Sequence, residues 1–226
     1  PAPTAAAAAV ASTRRREIGS SHTSTSGLSG RKRSMAVEPT SERVRVRRHA
    51  ERGEYDRATV DAILDDGFVC HLGFVADGRP YVIPTLYARV GDVVYLHGSP
   101  GSRMLQALAS GSPLCMTVTH VDGIVLAKSV FHHSVNYRSA VVLGSGRRVE
   151  GDEKREALHA VVEHVVPGRW EEARQPNENE LRSTEVVALA LDECSAKIRT
   201  GGPKDAPDDE QLAVPTGVVP VRLVRG

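Results

Sequence analysis

Apolar residues along this chain recur mostly with a period of two, in short runs broken by turn residues. The first exception is DRATVDAILDDG (56–67). Asp56 stands there as a helix N-cap, Val60, Ile63 and Leu64 share a helical face, and Gly67 is the stop. FVCHLGFV (68–75) predicts a strand, ADGR a hairpin turn, and PYVIPTLYAR (80–89) the returning strand. VGD turns into a third strand, VVYLHG (93–98), and a short helix is predicted over 102–109. PLCMTVTHV (113–121) and IVLAKSVF (124–131) predict a fourth and a fifth strand around Asp122-Gly123, and NYRSAVVLGSGRRVE (136–150) a long sixth. GDEKREALHAVVEHVVPG (151–168) is the clearest helix, with Asp152 as its cap and Leu158, Val161, Val162, Val165 and Val166 at helical spacing. STEVVALALDECSAKIRTG (183–201) predicts a seventh strand. Antiparallel strands with few helices exclude a doubly wound sheet. They predict a mainly β fold, a small closed or half-closed antiparallel β-barrel with a helix inserted after strand three.

Composition narrows the class. Of 226 residues, 40% are apolar, which suits one domain with a proper core. Net charge is +1, yet residues 1–53 hold 11 Lys/Arg and 4 Asp/Glu, so the rest of the chain is acidic by six. An acidic body argues against nucleic acid as a partner. The basic stretch reads as a solvated, disordered arm. Residues 1–34, Ala/Ser/Arg-rich and poor in acid like a transit peptide, are left out of the fold. The expected organisation is a disordered basic arm over 1–53, a barrel domain over 54–200, and an irregular tail over 201–226 packing on the barrel. Cys70, Cys115 and Cys194 lie far apart and are odd in number, which fits reduced thiols in a cytoplasm. No run approaches the ~18 apolar residues of a membrane span, so no membrane partner is expected.

Several chemistries are absent. No G-x-G-x-x-G opens a helix and no G-x-x-x-x-G-K-[ST] occurs, which removes a Rossmann site and a nucleoside-triphosphatase. HAVVEH spaces its histidines five apart, and His132 and His133 would point to opposite faces of a strand, so no metal site is expected. Two stretches remain. In GSPGSR (98–103), glycines let backbone N–H groups turn toward a ligand, Ser102 adds a hydroxyl, and Arg103 offers a planar fork for phosphate oxygens. The same residues also read as an ordinary capped helix start with Arg103 in solvent. In HSVNYRSAVVLG (133–144), Asn136, Arg138 and Ser139 open a core strand and need partners, either backbone at a barrel end or a polar ligand. Two such segments in one small barrel favour a ligand.

RPYVIPTLY, YLHGSPGSRML, HHSVNYRSAVVLGSG, VVPGRW, SAKIRTGGPKD and GVVPVRL, in this order, carry a resemblance. Residues 57–224 resemble the FMN-binding split-barrel proteins of the pyridoxamine 5′-phosphate oxidase-like family, nearest to its flavin-nucleotide-binding, nitroimidazole-resistance-like branch. The resemblance implies a homodimer with FMN in two symmetric clefts between the subunits. It implies that Tyr81, Val82, Ile83, Pro84, Thr85 and Leu86 run along the isoalloxazine ring and that Leu96 and His97 end the next strand near it. Ser102 and Arg103 would hold the phosphate, and Arg138 and Ser139 would contact the cofactor from a later strand. Met104 departs from the family's phosphate-binding lysine, with Arg138, Lys128, Lys197 or Arg199 available to compensate. The oxidases' C-terminal tryptophan and arginines, which hold a pyridoxal substrate, have no match. The implied activity is therefore an FMN-dependent oxidoreductase acting on another small molecule. His97 is the expected proton donor, because an imidazole with a pKa of ~6.5 switches near neutrality. The alternative is a non-catalytic flavin- or haem-binding protein for storage or sensing, with His97, His132 or His133 as an axial ligand; a deazaflavin is a third cofactor option.

Overall fold

The computed structural model describes residues 37–224. Its elements, in chain order, are β1 (Gly53–Glu54), α1 (Arg57–Asp66), β2 (Val69–Ala76), β3 (Arg79–Val90), β4 (Val93–Gly98), α2 (Arg103–Ala109), β5 (Pro113–Leu126), β6 (Ser134–Arg148), α3 (Gly151–Val165), α4 (Arg169–Glu172), α5 (Glu178–Arg182), β7 (Glu185–Ala190), β8 (Glu193–Arg199) and β9 (Gly217–Pro220). The strands pair antiparallel in the order β1-β8-β6-β7-β4-β3-β2-β5-β9. Because β5 also pairs with β6, the six strands β2 to β7 close into a ring. This is the antiparallel barrel with helices that the strand order predicts.

Local chemistry sets the first elements. The Asp56 side chain accepts a hydrogen bond from the Thr59 N–H at 3.0 Å, which starts α1. Val60, Ile63 and Leu64 then turn one face of that helix wholly into the barrel. At the β2–β3 hairpin, Asp77 (φ 51°) and Gly78 (φ 69°) are both left-handed, as a two-residue Asp-Gly turn requires. Strand alternation fills the ring with Leu72, Tyr87, Leu96, Met116, Val142 and Leu189, joined by Leu105 and Leu108 of α2. The opposite faces of β4 and β7 carry Tyr95, Val186 and Ala188. With Ala157 and Leu158 of α3 they make a second, smaller apolar layer.

The structure redraws several boundaries. The strands expected at 113–121 and 124–131 are one strand, β5, with a bulge between Val121 and Gly123, and Val130–His132 is a turn of 3-10 helix. The strand expected at 183–201 is two, β7 and β8, because the chain turns at Leu191-Asp192 to reach different neighbours. α3 ends at Val165, its N-cap is Glu150 rather than Asp152, and α4 and α5 follow it. The arm expected over 1–53 lies outside the described residues as far as residue 36. Residues 37–53 are engaged with the domain: Val44 is buried, Arg43 pairs with Glu193, and the Lys197 ammonium donates to the Arg48 carbonyl at 3.0 Å. β1 then pairs with β8. The tail expected to be irregular over 201–226 contributes β9, which pairs with β5 at Gly123–Leu126.

Candidate functional site

Two of the segments singled out from the sequence lie together. Along β3, Tyr81, Ile83 and Thr85 turn inward and are half-buried, while Val82, Pro84 and Leu86 turn outward and are exposed. Val69 stands opposite Leu86 on β2, so this outer face is largely apolar, with exposed His71 opposite Pro84. The Arg103 guanidinium lies over the Tyr81 ring, 4.9 Å from its centroid, and Tyr81 stacks on Phe74 at 5.6 Å. Arg103 is exposed and pairs with no carboxylate among the described residues.

The 98–103 loop is tightly folded. The Gly101 N–H donates to Ser99 Oγ at 3.2 Å, the Ser102 N–H to the Ser99 carbonyl at 2.9 Å, and Gln106 Nε2 to the Pro100 carbonyl at 3.2 Å. Ser102 is the N-cap of α2 by backbone geometry, but its hydroxyl makes no cap bond. A hydroxyl without a cap bond and a guanidinium without a carboxylate are donors that a phosphate takes. Met104 is buried in the core. That explains why no lysine stands there: α2 uses the position for packing.

The Leu96 side chain has 0% exposure inside the ring, so it is the backbone of this residue that could meet a ligand held outside the barrel. His97 faces the other way. With Leu158, Val161 and Val162 of α3, Trp170 and the 173–176 segment, it lines a cavity of about 360 Å³. Nδ1 of His97 is buried and has no hydrogen-bond partner. Burial pushes the imidazole pKa below its ordinary value, which keeps the ring neutral.

This depressed pKa has a stability consequence with a definite sign. The unfolded chain binds a proton at His97 near its ordinary pKa of 6.5 and the folded protein only at lower pH. Unfolding therefore takes up a proton, and stability falls as pH drops below about 6.5 until the folded pKa is passed. Urea titrations between pH 7.5 and 5 should show this decline, and His97→Phe should flatten it. An equally steep decline in the variant would assign the effect to another group.

Arg138 opens the β6 segment, and there Asp122 accepts from its Nε at 3.0 Å and Asp66 from its Nη2 at 2.9 Å. These hydrogen bonds, first that to Asp122, raise its pKa and satisfy its charge. It lines a separate cavity of about 750 Å³ with Asp65, His120 and Arg222, away from the 98–103 loop residues. His120 Nε2 is in turn within 2.9 Å of the Ile63 carbonyl. Ser139 points its hydroxyl to the Lys197 carbonyl at 3.3 Å. Neither residue is brought to Arg103 by the strand geometry. Of the possible compensating cations, the Lys128 ammonium donates to the Glu210 carbonyl and Arg199 to Asn136.

The cavity wall from Trp170 to Thr184 carried no functional signal in the sequence reading. Asn177-x-x-Glu180 is a capping box, with Asn177 Oδ1 and Glu180 Oε2 each accepting a backbone N–H of the other. That pattern was readable and marks where the wall is pinned. Among the described residues no group of three or more His, Cys, Asp or Glu is arranged to hold a metal ion, and no helix is long and apolar enough to cross a membrane.

Residues 56–198 match the family model described as pyridoxamine 5′-phosphate oxidase. No curated protein sequence matches the chain. Among solved structures, the flavocytochrome Anf3 from Azotobacter vinelandii is 36% identical, covers 84% of this chain and 88% of its own, and superposes with a TM-score of 0.78. The FAD and haem binding protein from Mycobacterium smegmatis is 38% identical over 77% of this chain and 86% of its own, with a TM-score of 0.75. A Bacteroides thetaiotaomicron protein described by 5-nitroimidazole antibiotic resistance shares the fold, at 24% identity over 65% of this chain and 86% of its own, with a TM-score of 0.53.

Proposed function

The chain belongs to the pyridoxamine 5′-phosphate oxidase family, and from that premise we propose that it binds a flavin nucleotide, FMN in the first place, and works as an oxidoreductase on a small molecule. The observation that carries this reading is Arg103: an exposed guanidinium that pairs with no carboxylate among the described residues, held over the Tyr81 ring at the end of the 98–103 loop. Arg103, the Ser102 hydroxyl and the loop amides would hold the phosphate. Val82, Pro84 and Leu86 would give a flat ring its apolar contact. Bound flavin supplies hydride transfer, which no side chain can supply. The protein positions the ring and excludes water, and neutral His97, five residues before Ser102, is the group able to accept a proton at its end of the loop.

A second copy of the chain is the proposed partner. Val69, Val75, Val82 and Leu86 are all exposed on adjacent strands, and a surface of this kind is normally covered by another protein face. Three free thiols, Cys70, Cys115 and Cys194, support a cytoplasmic setting. Light scattering on the purified protein should give twice the chain mass, and Val82→Asp should reduce it to one. A monomeric wild-type protein that retains flavin fully would defeat the partner assignment.

A haem-binding reading has its own support, since two structures 36% and 38% identical are described as a flavocytochrome and as a FAD and haem binding protein. His132 and His133 directly follow the exposed Val130–Phe131 pair, with the His132 ring edge-on to Phe131 at 5.2 Å, so imidazole and apolar contact occur together. The spectrum of the purified protein tests both readings. Flavin bands near ~375 and ~450 nm with FMN released on denaturation are expected. A Soret band would add haem, released FAD would replace FMN, and reconstitution that yields no bound flavin would sink the proposal.

A further inference from the structure

We infer that β9 and the three residues after it are a flap, hinged at Gly217, that forms one wall of the cavity of about 750 Å³ and swings off β5 while the barrel stays folded. Most of that cavity is lined by fixed elements: Asp65 and Asp66 end α1, Asp122 belongs to β5 and Arg138 to β6. These are tied down, since Arg89 holds Asp65 and Arg138 holds both Asp66 and Asp122. The remaining wall is Val221, Arg222 and Leu223.

That wall hangs on little. β9 is four residues long and pairs on one side only, with Gly123–Leu126 of β5. None of its residues is buried, and Val218, Val219 and Leu223 are all exposed. Past the paired positions, the Val221 N–H donates to the Asp122 carbonyl at 3.1 Å. Among the described residues no ion pair or hydrogen bond anchors the Arg222 side chain. Upstream of Gly217 the chain is better held: the Asp205 carboxylate accepts from the Lys128 N–H at 2.7 Å, and the Glu210 carbonyl from the Lys128 ammonium. Gly217 stands between the held and the loose part with φ 154°, and a Cβ there would meet nothing within 4 Å. Glycine's wide backbone range at a point without packing is what a hinge uses. A segment with so few buried contacts opens at a lower cost than the whole fold. Access to the cavity from this side is thereby set by the tail and not by the barrel.

Gly123 offers a handle on the flap. A Cβ built there would lie 2.7 Å from Val218 Cγ1 and 3.2 Å from the Val219 carbonyl oxygen, and its three nearest atoms all belong to β9. Gly123→Ala therefore pushes on the flap. Hydrogen exchange of single amides, followed by NMR on the full-length protein, reads the result. In the wild type, the Val219 and Val221 amides should exchange about a hundredfold or more faster than those of Ala140 and Val142 in β6, which is paired on both sides. Low urea should barely change the flap rates, because so short an opening exposes little surface. Gly123→Ala should speed Val219 and Val221 about tenfold further, while Ala140, Val142 and the tethered Lys128 amide keep their wild-type rates. Wild-type flap amides as protected as β6 would overturn the inference, and this comparison decides alone should the variant not fold. No acceleration in a folded variant would overturn it too. So would acceleration of β6 by the same factor, which means that β9 opens only with the barrel, or equal acceleration at Lys128, which puts the moving part upstream of Gly217.

Discussion

Replacing Arg103 with alanine is expected to weaken FMN binding by roughly ten- to more than a hundredfold while leaving the fold in place. A guanidinium–phosphate contact is a charge-assisted hydrogen bond worth about 1.5–3 kcal/mol. Each ~1.4 kcal/mol is a factor of ten in affinity. The fold loses little, because Arg103 is exposed and its one described contact is with the Tyr81 ring. An exposed contact of that kind is worth about 0.5–1 kcal/mol. Arg103→Lys keeps the charge but loses the planar fork, so its affinity should fall between the two. Titration of apoprotein with FMN, followed by quenching of flavin fluorescence, measures all three. Equal affinities would place the phosphate away from the 98–103 loop.

Leu96→Ala should show the opposite pattern. Leu96 lies wholly inside the ring, paired across β3 with Tyr87, which is equally buried. Removing three buried carbons from a closed barrel leaves a cavity that little can fill, and the cost is about 2–5 kcal/mol. Denaturant unfolding should therefore shift strongly, while FMN affinity of the folded fraction stays within twofold. A variant of wild-type stability that had lost FMN would return Leu96 to the list of cofactor contacts and contradict its position in the core.

These two residues also show what the sequence could and could not convey. Strand alternation was enough to put Val94 and Leu96 on one face and Tyr95 and His97 on the other, and the structure divides them that way between the two apolar layers. Alternation does not say which face a ligand approaches, and so Leu96 was grouped with His97. The capped helix at Asp56 and the Asp-Gly hairpin were legible because their causes lie within four residues. The bulge that fuses 113–126 into one strand was not, since Asp122-Gly123 looks locally like any turn. The ion pairs of Arg138 were not legible for a related reason. The carboxylates that engage it, Asp66 and Asp122, stand 72 and 16 residues away in the sequence, and only folding brings them together. The wall of the His97 cavity is assembled from α3 and from the loops on either side of α5, a combination that no local pattern announces.

The two outermost strands of the sheet have a consequence for how the protein behaves at high concentration. β1 has two residues and β9 four, and both come from near the ends of the described chain. A strand ladder that could recruit strangers would need a long row of idle amides and carbonyls, and such rows are where fibrils begin. Here the two outermost strands are too brief to template one, and Pro220 removes a further amide donor from β9. Short outermost strands disfavour association through borders and leave faces as the surfaces for the proposed second copy. Face contacts that pair two copies reach completion, whereas border contacts would propagate without limit.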